Sequence, residues 1–220
     1  MTASPDHSSP SEQTRRALID AAITLFGEAS YHGTSTRSIA LRAGTNVASI
    51  SYHFGGKEAL RIACAEAIAE RVGKVLGSGE VAPPSSPEQA AALLEKTIRN
   101  FVHFILLEQE GANFVPFMMR ELIEEGPALD LIYQTTFEPR HRAFCGLWEI
   151  ATGSPAESDA TRIAVFSLIG QVLYFRIGQS LVKKRMEWER FDDSRVALIA
   201  RGTIANLRAM IAAAREAHHD

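Results

Sequence analysis

The segment from Thr34 to Leu60 constrains the fold most, because it confines two short helices to either side of a single glycine. Ile39, Ala40 and Ala43 give the first helix a narrow apolar face, and Thr34 is placed to cap it. Gly44 stands where that helix must stop and the chain must turn sharply, which glycine does in the left-handed region at little cost. Asn46 can cap the second helix, on which Ile50 and Phe54 point back to a core. Two helices joined in this way form a helix-turn-helix, a shape that fits the major groove of DNA. Val47, Ala48, Ser49 and Ser51 are small enough to let the second helix approach base edges, with Thr45 beside them. Tyr52, His53 and Lys57 supply a hydroxyl, an imidazole and a cation at the rim, where phosphates would lie. Thr34, Thr36, Arg37, Arg42 and Asn46 complete the candidate DNA-contacting set.

The wider sequence carries a family resemblance. Ala21–Phe26 (AAITLF), Tyr31–Ser35 (YHGTS), Ile39–Gly44 (IALRAG) and Tyr52–Leu60 (YHFGGKEAL) together resemble the N-terminal domain of TetR-type transcriptional regulators over Thr14–Leu60. One position departs from that pattern: Ser51 stands where many members carry a phosphate-contacting tyrosine, so Tyr52 is the aromatic of this turn. The resemblance implies a cytoplasmic, homodimeric regulator, most often a repressor, that binds a palindromic operator in double-stranded DNA. It also implies a small-molecule effector that releases the DNA by shifting the spacing of the two readers.

The charge distribution agrees with this reading. The formal net charge is −3, yet between Thr14 and Lys57 the cations Arg15, Arg16, Arg37, Arg42 and Lys57 face only Asp20 and Glu28. The positive field is therefore local to the helix-turn-helix, which suits phosphate attraction and leaves the remainder acidic. With 46% hydrophobic and 22% charged residues the chain is globular rather than disordered.

Met1–Glu12 is rich in Ser and Pro and lacks an apolar run, so it is neither a signal peptide nor a membrane span and reads as a disordered arm. Helices are expected over Thr14–Glu28, Lys57–Leu76, Pro87–Glu108, Phe114–Glu125, Ala128–Ala151, Ala156–Val182 and Ser194–Ala217. The fifth of these should be interrupted near Pro139, which has no amide to donate. Gly77–Pro87 reads as a linker and Lys183–Asp193 as a charged connector. No alternating run suggests a strand. The expected fold is all-α: an arm over 1–12, a helix-turn-helix domain over 13–60, and a larger helical bundle over 61–220 for ligand binding and dimerisation.

From Ile163 to Gly178 the helix is apolar nearly all round, with Gln171 and Arg176 as interruptions. A membrane span needs about 20 apolar residues without a mid-run charge, so a helix buried on every side of a soluble protein is expected instead. One face can cover its own bundle while the other meets a second subunit. With a stripe from Val196 to Ile211 it forms a four-helix interface, for which Leu168, Val172, Phe175, Ile204, Leu207 and Ile211 are the candidates. An intramolecular core helix is the alternative. Arg176 needs a partner if buried, with Glu121 and Asp159 as candidates. The stretch Gly170–Arg176 (GQVLYFR) is also similar to the C-terminal domain of the CecR-like subgroup.

Large, adaptable side chains populate the middle of the chain. Phe104, Phe114, Met118, Phe137, Phe144, Trp148, Phe166 and Tyr174 are candidates for an effector pocket, with plain core as the alternative for any one of them. There is no nucleophile–base pair, and Gly55-Gly56-Lys57 is too short for a phosphate loop, so no enzyme, cofactor or metal is expected. Cys64 and Cys145 lack metal-ligand spacing and read as buried thiols; a regulator that responds to oxidation of either is the alternative.

Overall fold

A computed structural model describes residues 9–76 and 84–219, and all the regular elements among them are helical. They are α1 (Pro10–Gly33), α2 (Thr36–Arg42), α3 (Ala48–Phe54), α4 (Lys57–Leu76), α5 (Pro87–Leu107), α6 (Gln109–Glu124), α7 (Pro127–Ile132), a π-helical segment (Tyr133–Phe137), α8 (Glu138–Thr152), α9 (Asp159–Ile177), α10 (Gln179–Met186) and α11 (Asp193–His219). The end of the expected arm is helical instead: Ser9 accepts the Glu12 amide at 3.2 Å, and Pro10 occupies the first turn, where its missing N–H costs nothing. Met1–Ser8 and most of the expected linker lie outside the described residues. Pro87 opens α5 as expected, with Ser86 as its cap.

The chain packs as two units, one drawing on Met1–Ile68 and Pro116–Ile132, the other on Ala69–Val115 and Tyr133–Asp220. Both α4 and α6 contribute residues to each unit. Packing thus carries the first unit past Leu60 and adds to it the C-terminal half of α6. In the first unit Leu18, Ile19, Ala22 and Phe26 of α1 bury against Ile39 and Ala40 of α2, Ile50 of α3 and Leu60 and Cys64 of α4. Phe26 meets the Phe117 ring at 6.4 Å.

In the second unit α5 packs against α8 and α11, and α9 against α5, α8 and α11. Three polar clamps tie α11 down. Arg208 forks onto Glu95 of α5 at 2.7 Å, Asn206 donates to Gln171 of α9 at 2.8 Å, and Arg215 donates to the Ala151 carbonyl of α8 at 2.7 Å. Arg208 holds the Glu95 carboxyl below the usual carboxylate range.

Two prolines shape this region. Pro139 sits in the first turn of α8, directly after the π segment, which widens the helix where the missing amide and the proline ring prevent a regular turn. Pro116 lies inside α6, which begins at Gln109, earlier than expected. It cannot donate to the carbonyl of Ala112, four residues back. That carbonyl instead accepts Arg176 Nη2 at 2.9 Å. Arg176 therefore pairs with neither Glu121 nor Asp159: Glu121 is bonded to Arg61 and Asp159 lies 3.6 Å from Arg162. The helix expected over Ala156–Val182 breaks at Gly178, whose amide bonds the Tyr174 carbonyl at 2.8 Å, and the chain resumes as α10 into the expected connector.

Replacing Arg176 by Met keeps the apolar stem and leaves the Ala112 carbonyl without its donor, at a cost of about 1–3 kcal/mol in chemical denaturation. In a Pro116→Ala background the helix amide takes that carbonyl, and the cost of the same substitution should shrink. Equal costs in the two backgrounds would refute the pairing.

Candidate nucleic-acid interface and effector region

The turn between α2 and α3 is built as the sequence predicts, with one exchange of roles. Ser35, not Thr34, caps α2: Ser35 Oγ accepts the Ser38 amide at 3.0 Å and Ser38 Oγ accepts the Ser35 amide at 3.1 Å, a reciprocal capping box. Thr34 is buried, its hydroxyl 3.0 Å from the Leu25 carbonyl oxygen and 2.7 Å from that of Ser30. It locks the end of α1, where Ser30 leaves helical geometry, and is removed from the DNA-contacting set. Gly44 adopts φ +66° as required. Asn46 Oδ1 accepts the Ala48 amide at 2.9 Å, and the Thr45 and Ser49 hydroxyls are 3.0 Å apart.

Ile50 is buried, which turns the opposite face of α3 outward. Val47, Ala48, Ser51 and Tyr52 are exposed on it, and Tyr52 is 82% exposed with its ring edge-on to His53 at 4.9 Å. Arg37, Arg42 and Asn46 are exposed; Thr36, Thr45, Ser49, His53 and Lys57 are half-buried. Leu41, absent from the sequence-derived set, is 81% exposed on α2.

A cation cluster supports α4 from below this face. Tyr31 carries Lys57 Nζ at 4.1 Å and the Arg61 guanidinium at 4.5 Å from its ring centre. Partial burial, and then the neighbouring Arg61, push the Lys57 amine down from its ordinary value. Arg61 is itself buried, its Nε 2.6 Å from Glu121 and its Nη2 3.1 Å from Glu124. Sequence reasoning assigned no role to Tyr31 or Arg61. The available signal was the four-residue spacing of Lys57 and Arg61, which puts both cations on one face of α4.

The candidate interface residues divide differently from expectation. Leu168, Val172, Ile204, Leu207 and Ile211 are buried within the chain and form its own core, with Phe175 half-buried. The residues left outside on α9 and α10 are Ile163, Phe166, Tyr174, Ile177 and Leu181, with Leu198 on α11. Gly170 and Gly202, on the same two long helices, have open space above them. By length and hydropathy α9 and α11 reach what a membrane crossing requires. Arg162 and Arg176 on α9 are held by polar partners of this chain.

Among the effector candidates, Phe104, Phe114, Phe144 and Trp148 are buried in the second unit, while Met118 belongs to the first. Phe166 and Tyr174 lie more than half exposed, which removes them from an enclosed pocket. Phe166 closes an aromatic group instead, 5.7 Å from Phe137 and 4.4 Å from His141. A separate groove of about 330 Å³ between α5 and α11 holds the Glu95–Arg208 pair.

Comparison with known proteins agrees with this geometry. Residues 18–64 match the profile of the bacterial regulatory proteins of the tetR family, and residues 90–214 match the C-terminal domain of the HTH-type transcriptional dual regulator CecR. The chain is 32% identical over 195 residues to the HTH-type transcriptional dual regulator CecR of Shigella flexneri, covering 86% of each chain. Among solved structures, AibR in complex with isovaleryl coenzyme A and operator DNA is similar at TM-score 0.64 and 19% identity, covering 87% of this chain and 96% of that one. A transcriptional regulator from Rhodococcus sp. Rha1 is similar at TM-score 0.60 and 16% identity, with 90% and 96% covered.

His141 and Cys145 give this region a pH dependence. Cys145 Sγ lies 3.6 Å from His141 Nδ1, and both are buried. Burial pushes the Cys145 thiol up, and Cys64 is buried with its thiol toward the Ile19 carbonyl, so neither cysteine is poised as an exposed thiolate for redox sensing. Burial holds His141 below the ordinary histidine value, against the opposing pull of the Arg162 backbone and Glu157. The unfolded chain therefore takes up this proton first as the pH falls. The stability that neutral His141 contributes is complete above about pH 6.5 and declines as the pH drops toward the folded value. His141→Phe should flatten the slope of melting temperature against pH between about 7 and 5 relative to wild type; an unchanged slope would exclude this role.

Proposed function

The chain belongs to the TetR family of bacterial transcriptional regulators and carries a C-terminal domain of the CecR type, and from that premise we propose that it is a cytoplasmic, homodimeric repressor that a small molecule releases from a palindromic operator. One observation carries the DNA-reading part. Ile50 is buried and the opposite face of α3 is open, lined by small side chains behind the turn at Gly44. Thr45, Val47, Ala48 and Ser49 are the residues for base edges. Arg37, Arg42, Asn46, Ser51, Tyr52, His53 and Lys57 are those for phosphate and groove wall. Regulation, not catalysis, is the role this family supports.

The exposed apolar face of α9, α10 and α11 supports the dimer. It replaces the buried residues first expected there, and Gly170 and Gly202 would let helices of two copies approach closely. A dimer sets two copies of α3 at half-sites about 34–36 Å apart. An effector held among α5, α6, α8 and α9 would act through α4, which runs from the recognition domain into the second unit. The similar fold of AibR, solved with isovaleryl coenzyme A and operator DNA, supports that arrangement.

Replacing Lys57 by Ala should weaken binding to all duplexes alike and lower the salt slope by roughly one phosphate contact. Loss confined to one operator with an unchanged slope would assign Lys57 to base reading or to folding instead. The dimer is tested at Ile163, 64% exposed in the single chain. Ile163→Glu should leave the chain folded and convert it to a monomer in sedimentation at micromolar concentration, because an unpaired carboxylate cannot enter an apolar helix interface. A wild type that sediments as a monomer, or an Ile163→Glu dimer, refutes this interface.

A further inference from the structure

The segment Thr136–His141 concentrates unpaired polarity. Buried polar atoms without a partner among the described residues include Thr136 Oγ1, Arg140 Nε and His141 Nε2, three atoms within six residues. Such atoms are costly, and a protein interior normally satisfies them. Thr136 is 4% exposed and Arg140 half-buried, with its Nε itself out of solvent. Arg140 Nη1 donates to the Thr136 carbonyl at 2.9 Å, which joins the two orphaned groups into one cluster. Its Nη2 lies 3.3 Å from where a Cβ on Gly73 of α4 would sit, so the bare backbone there makes room for the guanidinium.

Arg140 also has no carboxylate to balance it among the described residues. Burial alone perturbs it, with no charged neighbour in the opposite sense. Two other arginines show the contrast. Arg142 is exposed and pairs with Glu138 at 3.1 Å and Glu157 at 2.8 Å. Arg176 donates a hydrogen bond to the carbonyl that Pro116 frees. Arg140 alone of these three keeps a buried nitrogen unspent. Four and eight residues further along α8, Phe144 and Trp148 stand on the same stripe, about 6 and 12 Å along the axis.

We propose that Arg140, with the Thr136 hydroxyl, is the anchor for the anionic head of an amphiphilic effector, a carboxylate or phosphate ester with an apolar tail. The proposal rests on the effector-responsive reading above and names the chemical class that reading left open. A guanidinium with a free edge offers two N–H donors in one plane to such a head, and the hydroxyl adds a third. The contact with Gly73 places the charged head against α4, the helix that enters the recognition domain.

The test is calorimetric titration of the full chain with alkyl carboxylates and alkyl phosphates of four to twelve carbons, and with the matching neutral alcohols. Wild type should bind at least one anionic series, and the neutral alcohol of the same length should bind at least tenfold more weakly. The carboxylate and phosphate arms decide which head is preferred. Arg140→Gln should weaken the anionic ligand about tenfold or more and leave the alcohol unchanged. Arg140→Lys should recover part of the loss, and Arg142→Ala, equal in charge removed, should bind as wild type. Thr136→Val, nearly isosteric, should weaken the anion several-fold and carries the test should Arg140→Gln not fold. Alcohols that match the anions, anion binding that survives Arg140→Gln or Thr136→Val, or no anionic binding up to millimolar concentration would each overturn the site. Operator release is scored separately. Arg140-dependent binding without DNA release keeps the site and defeats the inducer reading, whereas release by a neutral compound that Arg140→Gln still answers does the reverse.

Discussion

The buried pair of Arg61 and Glu121 is the contact on which the recognition unit depends. Arg61 is 4% and Glu121 1% exposed, and a pair so removed from water depends on good geometry and on the further bonds its atoms find. Here the guanidinium has Glu121 on Nε, Glu124 on Nη2 and the Tyr31 face beneath it. A side chain on Gly126 would meet both partners and displace them, so glycine in the turn after α6 leaves the pair its room. Burial pushes the Glu121 carboxyl up despite Arg61, and Glu121 Oε2 is left without a partner. Losing one partner of such a pair typically costs about 3–5 kcal/mol, because the other remains charged and buried. The pair fixes the start of α4 against the end of α6, and Tyr31 extends that bracing to α1.

A second constraint acts in the larger unit, and it also comes from one atom that cannot bond as its neighbours do. Pro116 removes a helix donor, the Ala112 carbonyl is freed, and Arg176 fills the gap from α9. This explains why a charge interrupts an otherwise apolar helix. It also explains why no pairing of side-chain charges reveals the partner of Arg176: the partner is a backbone oxygen freed by Pro116, on a distant helix.

The fold was legible wherever a local rule fixes the answer. Gly44, Asn46, Ser86-Pro87 and Pro139 each mark a turn or cap by chemistry that acts within a few residues, and each does so in the structure. Thr34 failed as a cap because Ser35 next to it can do the same work with Ser38, and a sequence does not say which of two adjacent hydroxyls turns inward. Leu168 and Leu207 failed as interface residues for a related reason. Periodicity shows that α9 is apolar all round but not which stripe its own bundle takes, since that depends on contacts with α5, far away in the chain, as well as with α8 and α11. The exposed remainder, Ile163 to Leu181, was visible only after the inner stripe was known.

The same arithmetic of donors bears on how the proposed reader would choose its operator. The exposed small side chains at the start of α3 are Val47, Ala48 and Ser51, and the Thr45 and Ser49 hydroxyls share one hydrogen bond at 3.0 Å. No arginine stands there for a bidentate contact with guanine, the commonest specific contact in the major groove. Direct readout from such a face is left to hydroxyls and to apolar contact with thymine methyl groups, and each gives less discrimination than a bidentate pair. Arg37 and Arg42 lie on α2, where the proposed reader would use them for affinity more than for sequence choice. A reader so equipped gains selectivity chiefly by requiring two half-sites at one separation and by the deformability of the DNA between them. In the proposed dimer, the separation of the two α3 helices, rather than the chemistry of either one, would then be the quantity for an effector to change.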